Sequence, residues 1–267
     1  MTDDKKNLPI GVFDSGIGGL TVVKELRALL PGEDIIYFGD TARVPYGPRP
    51  PQQILTFMQQ ILRFFAAQPV KLAVVACNTM TALGVEANQG RFAFPLVGVD
   101  TGMAAALNYG TKVGLLATQA TVTSGKHAEK ARLFNARAEV TGVPCHDFVP
   151  LIEGGQLSGP AVEAAVASYL APLCQAGVSS LVLGCTHYPL LTPLIREKVG
   201  DAMAIINPAL ETATAAQEVL RQQALLAGPA RKGATRLCFS ALTEQVRMMA
   251  TQILDGECSL EEVELPD

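Results

Sequence analysis

Short apolar runs alternate with longer stretches of helical period along the chain, the pattern of a mainly parallel sheet with helices on its faces. Residues 9–13 read as a strand that passes through the turn DSGIGG into a helix ending at Pro31-Gly32. A second strand at 35–39 precedes the loop GDTARVPYGPRPP. From 52 to 66, Ile54, Met58, Ile61, Leu62 and Phe65 recur at helical spacing and predict an amphipathic helix with that face in the core. VKLAVVA then predicts a buried strand ending at Cys77, followed by a helix of small and apolar residues. From Pro95 the scheme restarts, with strands near 95–99, 112–117 and 138–143, a helix at 160–176, and the strand SSLVLG ending at Cys185. Strand, helix and strand continue to the C-terminus. Within this, LAVVACNTMTAL (72–83) and SLVLGCTHYPLL (180–191) share one plan: apolar strand, small residue, Cys, hydroxyl-rich turn. That echo predicts two related half-sites.

Composition narrows the function classes. The chain has 267 residues, is 49% hydrophobic and 17% charged, and lacks Trp, which fits a globular α/β protein and excludes disorder. A net charge of -4 supplies no basic field for nucleic acid or an anionic membrane surface, so small molecules are the expected ligands. MTDDKKNLPI lacks the apolar core of a secretory signal, and no apolar run reaches membrane-spanning length, so a cytoplasmic protein is expected. The six cysteines form no C-x-x-C pair and read as free thiols.

Two of those thiols carry candidate chemistry. In an open parallel sheet, ligands bind beyond the carboxyl ends of the strands, where the next helix presents its N-terminal N–H groups. Cys77 and Cys185 both fall there. A free thiol has a pKa of about 8.5, and a helix N-terminus brings it toward neutrality. Racemisation next to a carboxylate needs a proton removed from one face and another delivered to the opposite face. Two poised thiols meet that need in either direction, each contributing roughly 10²–10⁴-fold. A lone Cys is most often simple packing. The matched Cys-Asn-Thr and Cys-Thr-His settings favour a lined pocket instead, whereas Cys145, Cys174, Cys238 and Cys258 lack such a setting and are expected to be packing residues.

The segments FDSGIGGLTV (13–22), YFGDTARVPYG (37–47), ACNTMTA (76–82), ATQATVTSG (117–125), PLIEGG (150–155) and LGCTHYPLL (183–191) closely resemble the glutamate racemases of the aspartate/glutamate racemase superfamily, almost end to end. The resemblance implies two pseudo-symmetric α/β domains, each a mainly parallel sheet flanked by helices, with the active site in the cleft between them. The expected domains are residues 1–98 plus 208–267, carrying Asp14 and Cys77, and residues 99–207, carrying Cys185 and His187. It implies interconversion of L- and D-glutamate with no pyridoxal phosphate or metal, supplying D-glutamate for peptidoglycan synthesis, and a homodimer is expected. By matching motif, Cys77 resembles the thiol that takes the proton from D-glutamate and Cys185 the one that acts on L-glutamate, with Asp14 and His187 as their helpers. Ser15, Asn78, Thr79, Thr186, Pro45, Tyr46, Gly47, Glu153, Thr118 and Thr121 match positions that bind or border substrate. On the residues alone, Asp14 or Ser15 also suits a helix N-cap, His187 a structural histidine, Glu153 a solvated surface and Thr121 a helix cap.

Departures from the pattern are His127 in place of a common Tyr, Asn207-Pro208 in place of an Asp, and Ser240-Ala241-Leu242 in place of a Ser/Thr-Gly-Asp-like turn. They bear on the pocket rim, the domain interface and the subunit arrangement rather than on the thiols. A dinucleotide site at DSGIGG is disfavoured because Thr21 stands where the third Gly of that fingerprint belongs. The remaining alternatives are a racemase of another acidic amino acid such as aspartate and, from a different class, a regulatory partner of DNA gyrase.

Overall fold

The computed structural model describes residues 5–228, 231–255 and 258–265; the first four residues of the N-terminal segment lie outside it. The chain forms two compact units, Met1–Val99 with Ala209–Asp267, and Asp100–Pro208.

In the first unit, apolar runs become strands Ile10–Asp14 (β1), Ile35–Gly39 (β2), Leu72–Val75 (β3) and Leu96–Gly98 (β4). The second unit contributes Lys112–Ala117 (β5), Glu139–Pro144 (β6), Ser180–Gly184 (β7) and Ala204–Ile206 (β8). The chain then returns to the first unit for Thr235–Phe239 (β9) and Ser259–Glu262 (β10). The first sheet runs β10-β9-β2-β1-β3-β4 and the second β6-β5-β7-β8. Every pairing in both is parallel. The strand near residue 95, at which the hydrophobic scheme restarts, closes the first sheet: Val75 of β3 pairs with Gly98 of β4.

Helix Pro51–Ala67 shows what holds such elements. It starts without a side-chain cap, but Ile54, Met58, Ile61, Leu62, Phe64 and Phe65 are buried. Each contributes about 1.5–3 kcal/mol, which far outweighs the roughly 1 kcal/mol of an absent cap. These side chains join Phe13, Phe38 and Val75 in one core cluster under the sheet. In the second unit, Val113, Leu115, Val182 and Ile206 pack with Met103, Ala106 and Ala131. After β3 the chain continues as three helical stretches, Asn78–Met80, Thr81–Val85 and Glu86–Asn88, the middle one π-helical. Among the described residues no helix is long and apolar enough to cross a membrane.

Candidate active site

In the first unit, β1 and β3 end side by side. Phe13 pairs with Val75, and Ala76 N–H donates to Phe13 O at 2.8 Å. Asp14 therefore leaves one strand, and Cys77 the next, at the same carboxyl edge. Asp14 is fully buried, and its Oδ2 accepts from Gly19 N–H at 2.7 Å. The helix that follows is Leu20–Leu29 with Gly19 at its N-cap position and no side-chain cap bond, so neither Asp14 nor Ser15 is the N-cap residue. Asp14 instead grips the turn from below. A Cβ on Gly19 would lie 2.6 Å from Asp14 Cβ, which is why that turn needs glycine.

Cys77 is the N-cap residue of the stretch beginning at Asn78, with extended φ and ψ of -127° and 116°. Its Sγ lies 4.0 Å from Ser15 Oγ, so these two expected site residues are brought together. Asn78 and Thr79 follow as buried residues at the start of that helix.

The loop after β2 carries Pro45, Tyr46 and Gly47. The Tyr46 hydroxyl donates to Asp40 Oδ2, and its ring lies 5.4 Å from that of Phe57. Burial, with the Asp40 carboxylate beside it, pushes this phenol far above its ordinary range. Tyr46 is thus a neutral anchor that pins this loop to Asp40. Asp40 also pairs with Arg43 Nε at 2.6 Å and accepts from Ser240 Oγ at 2.8 Å. Arg49 Nη2 donates to Arg43 O at 2.7 Å and its Nε to Pro45 O at 3.2 Å. Sequence reasoning missed Asp40, Arg43, Arg49 and Ser240 as the framework of this loop. The available signal was a carboxylate directly after an apolar strand. The Ser240-Ala241 departure is part of the same framework, since Thr41 Oγ1 donates to Ala241 O at 2.6 Å.

In the second unit, β7 ends at Gly184 and delivers Cys185, Thr186 and His187, all buried. Cys185 Sγ lies 3.7 Å from His187 Nδ1, and His187 Nε2 lies 2.6 Å from Glu153 Oε1. Glu153 ends helix Phe148–Glu153 and its side chain is 12% exposed, so it is not the solvated surface residue that its type suggests. Burial disfavours a charged His187, but the hydrogen bonds to Cys185 and Glu153 and the charges of both outweigh it, and its pKa rises well above 6.5. With Glu153 accepting from Nε2, Nδ1 and Sγ can share one proton, as thiol with imidazole or as thiolate with imidazolium. A merely structural histidine would not require a thiol at Nδ1.

Thr118 and Thr121 follow β5. Thr118 is the N-cap of helix Gln119–Ser124 and accepts from Thr121 N–H at 3.4 Å. The capping role considered for Thr121 therefore belongs to Thr118. His127 is 5% exposed, and neither ring nitrogen meets a hydrogen-bond partner among the described residues. Burial lowers its pKa from 6.5 to about 4, with the Asp100 carboxylate pulling the other way. Of the four cysteines expected to be packing residues, Cys145 and Cys238 are buried, Cys258 is partly exposed, and Cys174 is exposed on the helix Pro160–Ala176. The expectation was wrong for Cys174, which lies on that helix's solvent side.

The chain matches the family described as Asp/Glu/Hydantoin racemase over residues 11–216. It is 40% identical over 260 residues to the glutamate racemase of Gloeothece citriformis, covering 97% of this chain and 93% of that protein. The glutamate racemase of Geobacter metallireducens is 43% identical over 227 residues, 84% of each chain. Among solved structures, glutamate racemase from Francisella tularensis in complex with D-glutamate matches with a TM-score of 0.89 at 36% identity, covering 97% of this chain and 98% of that one.

Proposed function

The chain belongs to the Asp/Glu/Hydantoin racemase family, and within it to the glutamate racemases, and from that premise we propose that it interconverts L- and D-glutamate with Cys77 and Cys185 as the paired acid/base thiols. The observation that carries the residue assignment is the repeated placement of a buried thiol just past a strand's carboxyl end, once in each unit, each beside a polar partner. Inversion at Cα needs one group for each face. Cys77 takes the proton from D-glutamate while Cys185 delivers one to the other face; for L-glutamate the roles exchange. The chain of Glu153, His187 and Cys185 supplies what one half-reaction needs, because the imidazole can take the thiol proton and Glu153 stabilises the cation that results. Asp14 is the corresponding carboxylate for Cys77. Ser15, Asn78, Thr79, Thr186, Thr118, Thr121 and the backbone at Pro45–Gly47 are assigned to substrate recognition, where buried hydroxyls, amide groups and N–H donors suit carboxylates and an ammonium group.

The reaction supplies D-glutamate for peptidoglycan synthesis in a cytoplasmic homodimer. The aspartate and gyrase alternatives draw no support from the relatives described above, all of which are glutamate racemases. Incubation with L- or D-glutamate in deuterated water, with no cofactor added, tests the reading. Decay of circular dichroism to zero with deuterium entering at Cα is expected. Neither change occurring would overturn it.

A further inference from the structure

Where β3 and β4 part, a side chain stands inside their ladder. Ala73 pairs with Leu96 and Val75 with Gly98, and Ala73 N–H donates to Pro95 O at 3.0 Å. In a parallel pair, that register makes Val99 N–H the next donor to the Val75 carbonyl. Instead, Val99 N–H donates to Thr81 Oγ1 at 3.1 Å, and Thr81 Oγ1 donates to Val75 O at 3.1 Å. The hydroxyl is interposed, spending its one proton on one strand and a lone pair on the other. Thr81 N–H meanwhile donates to Cys77 O at 2.8 Å. One residue thus binds the carbonyl two positions before Cys77, the carbonyl of Cys77 itself, and the amide of the last residue before the chain passes to the second unit. Gly98 makes the arrangement possible, since a Cβ there would lie 2.5 Å from Thr81 Cγ2. Thr81 also opens the π-helical stretch, a local distortion that recurs at functional sites.

We propose that Thr81 is a positioning residue for racemisation, fixing the Cys77 thiol through these three bonds and tying it to the crossover at Val99–Asp100. The inference rests on the reading of Cys77 as an acid/base thiol. Its physical basis is that proton transfer is steep in distance: a misplacement of about 1 Å can cost roughly 10²-fold. The peptide between Val75 and Cys77 is held at both of its flanking carbonyls by this one side chain and its amide.

Thr81→Val keeps the branched shape and deletes both hydroxyl bonds, whereas Thr81→Ser keeps the hydroxyl and removes the methyl. For Thr81→Val, kcat with D-glutamate is expected to fall about 10-fold with KM within about two-fold. The primary isotope effect with Cα-deuterated D-glutamate rises above that with the L-enantiomer, because removal by Cys77 becomes the slower step. Thr81→Ser restores kcat to within about two-fold. A Thr81→Ser enzyme as slow as Thr81→Val, or an equal rise of the isotope effect for both hands, overturns the inference. Cys77→Ser is the control for the parent reading. An inactive Cys77→Ser beside a Thr81→Val enzyme of wild-type kcat overturns the positioning role alone, whereas a Cys77→Ser enzyme of wild-type rate overturns both. Should Thr81→Val not fold, Gly98→Ala decides: it slows kcat, and adding Thr81→Ser recovers it by removing Cγ2. No recovery overturns the inference.

Discussion

Individual side chains in the two half-sites differ in how they are supported. Cys185 has a relay behind it, since His187 faces its sulfur and Glu153 holds the far nitrogen. Cys77 has a hydroxyl at 4.0 Å and a peptide fixed by the turn that follows it. Replacing either thiol by Ser should nearly abolish racemisation, because one face then lacks its proton carrier; steady-state polarimetry of both single variants checks this. Glu153→Gln should lower kcat about 10–100-fold. It should also move the alkaline limb of the pH–rate profile to lower pH. The sign follows from His187, whose pKa is raised despite burial by Cys185 and Glu153. Removing the Glu153 charge lets the proton leave at lower pH, and an unshifted limb would sink that account. The thiols were legible in the sequence because each sits directly after an apolar run, whereas Asp14 and His187 were picked out by the family resemblance. Asp40 also follows an apolar run, but its part in the loop framework was not legible, because Ser240, which holds its second oxygen, lies 200 residues away in sequence.

The elements follow the hydrophobic pattern wherever burial sets their energy. Strands buried on both faces, such as LAVV and SLVLG, read directly as apolar runs. Edge strand β10, SLEE, is mostly exposed and carries no such signal. The π-helical stretch TALGV was equally illegible, since Thr81, which opens it, is bonded to Val99, distant in sequence and just past β4. Helix Ala209–Gln222 ends in a Schellman arrangement: Leu225 N–H donates to Leu220 O at 2.8 Å and Ala224 N–H to Arg221 O at 3.1 Å. The left-handed residue is Ala224, with φ of 54°. Ala224→Gly should stabilise by about 1 kcal/mol, raising Tm by roughly 2–4 °C in calorimetry. A lower Tm would contradict the cap reading. At the opposite end of the sheet from Cys77, the Lys71 ammonium pairs with Glu33 and donates to Lys6 O at 2.6 Å and Leu225 O at 3.0 Å. Glu33 Oε1 in turn accepts from Ala227 N–H at 2.8 Å, so the pair staples the segment after that helix beneath the sheet. Lys71→Met leaves a buried carboxylate behind and should cost about 3–5 kcal/mol, measured by urea unfolding. Adding Glu33→Gln should recover part of that loss; a double variant no better than the single would count against the staple.

For the molecule as a whole, His127 sets a term in acid stability. Its folded pKa of about 4 lies below the ordinary 6.5. The unfolded chain therefore binds this proton first. The native state is unpenalised above pH 6.5 and loses stability as pH falls from there toward 4, by about 3 kcal/mol in all. His127→Leu should flatten the fall by up to about 1.4 kcal/mol per pH unit over that window in urea melts. Identical pH slopes for the two proteins would refute it. The fold class was legible because the alternation of runs survives the whole length of the chain. The hydrophobic pattern alone did not assign β4 to the first sheet, since strand pairing is decided by partners; the first domain implied by the resemblance, residues 1–98, already included it.

The second unit is one uninterrupted stretch, Asp100–Pro208, whereas the first is assembled from both ends of the chain. Strand β9 must come home to lie against β2, with Ile35 paired to Thr235. During synthesis, the inserted stretch is complete while its host still lacks two strands of its sheet. Expressed separately, residues 100–208 should melt cooperatively by circular dichroism, and residues 1–99 should not, because β2 would be left as a bare hydrophobic edge. A ribosome stalled between residues 208 and 235 therefore holds a nascent protein with its Cys185 half built and its Cys77 half unfinished.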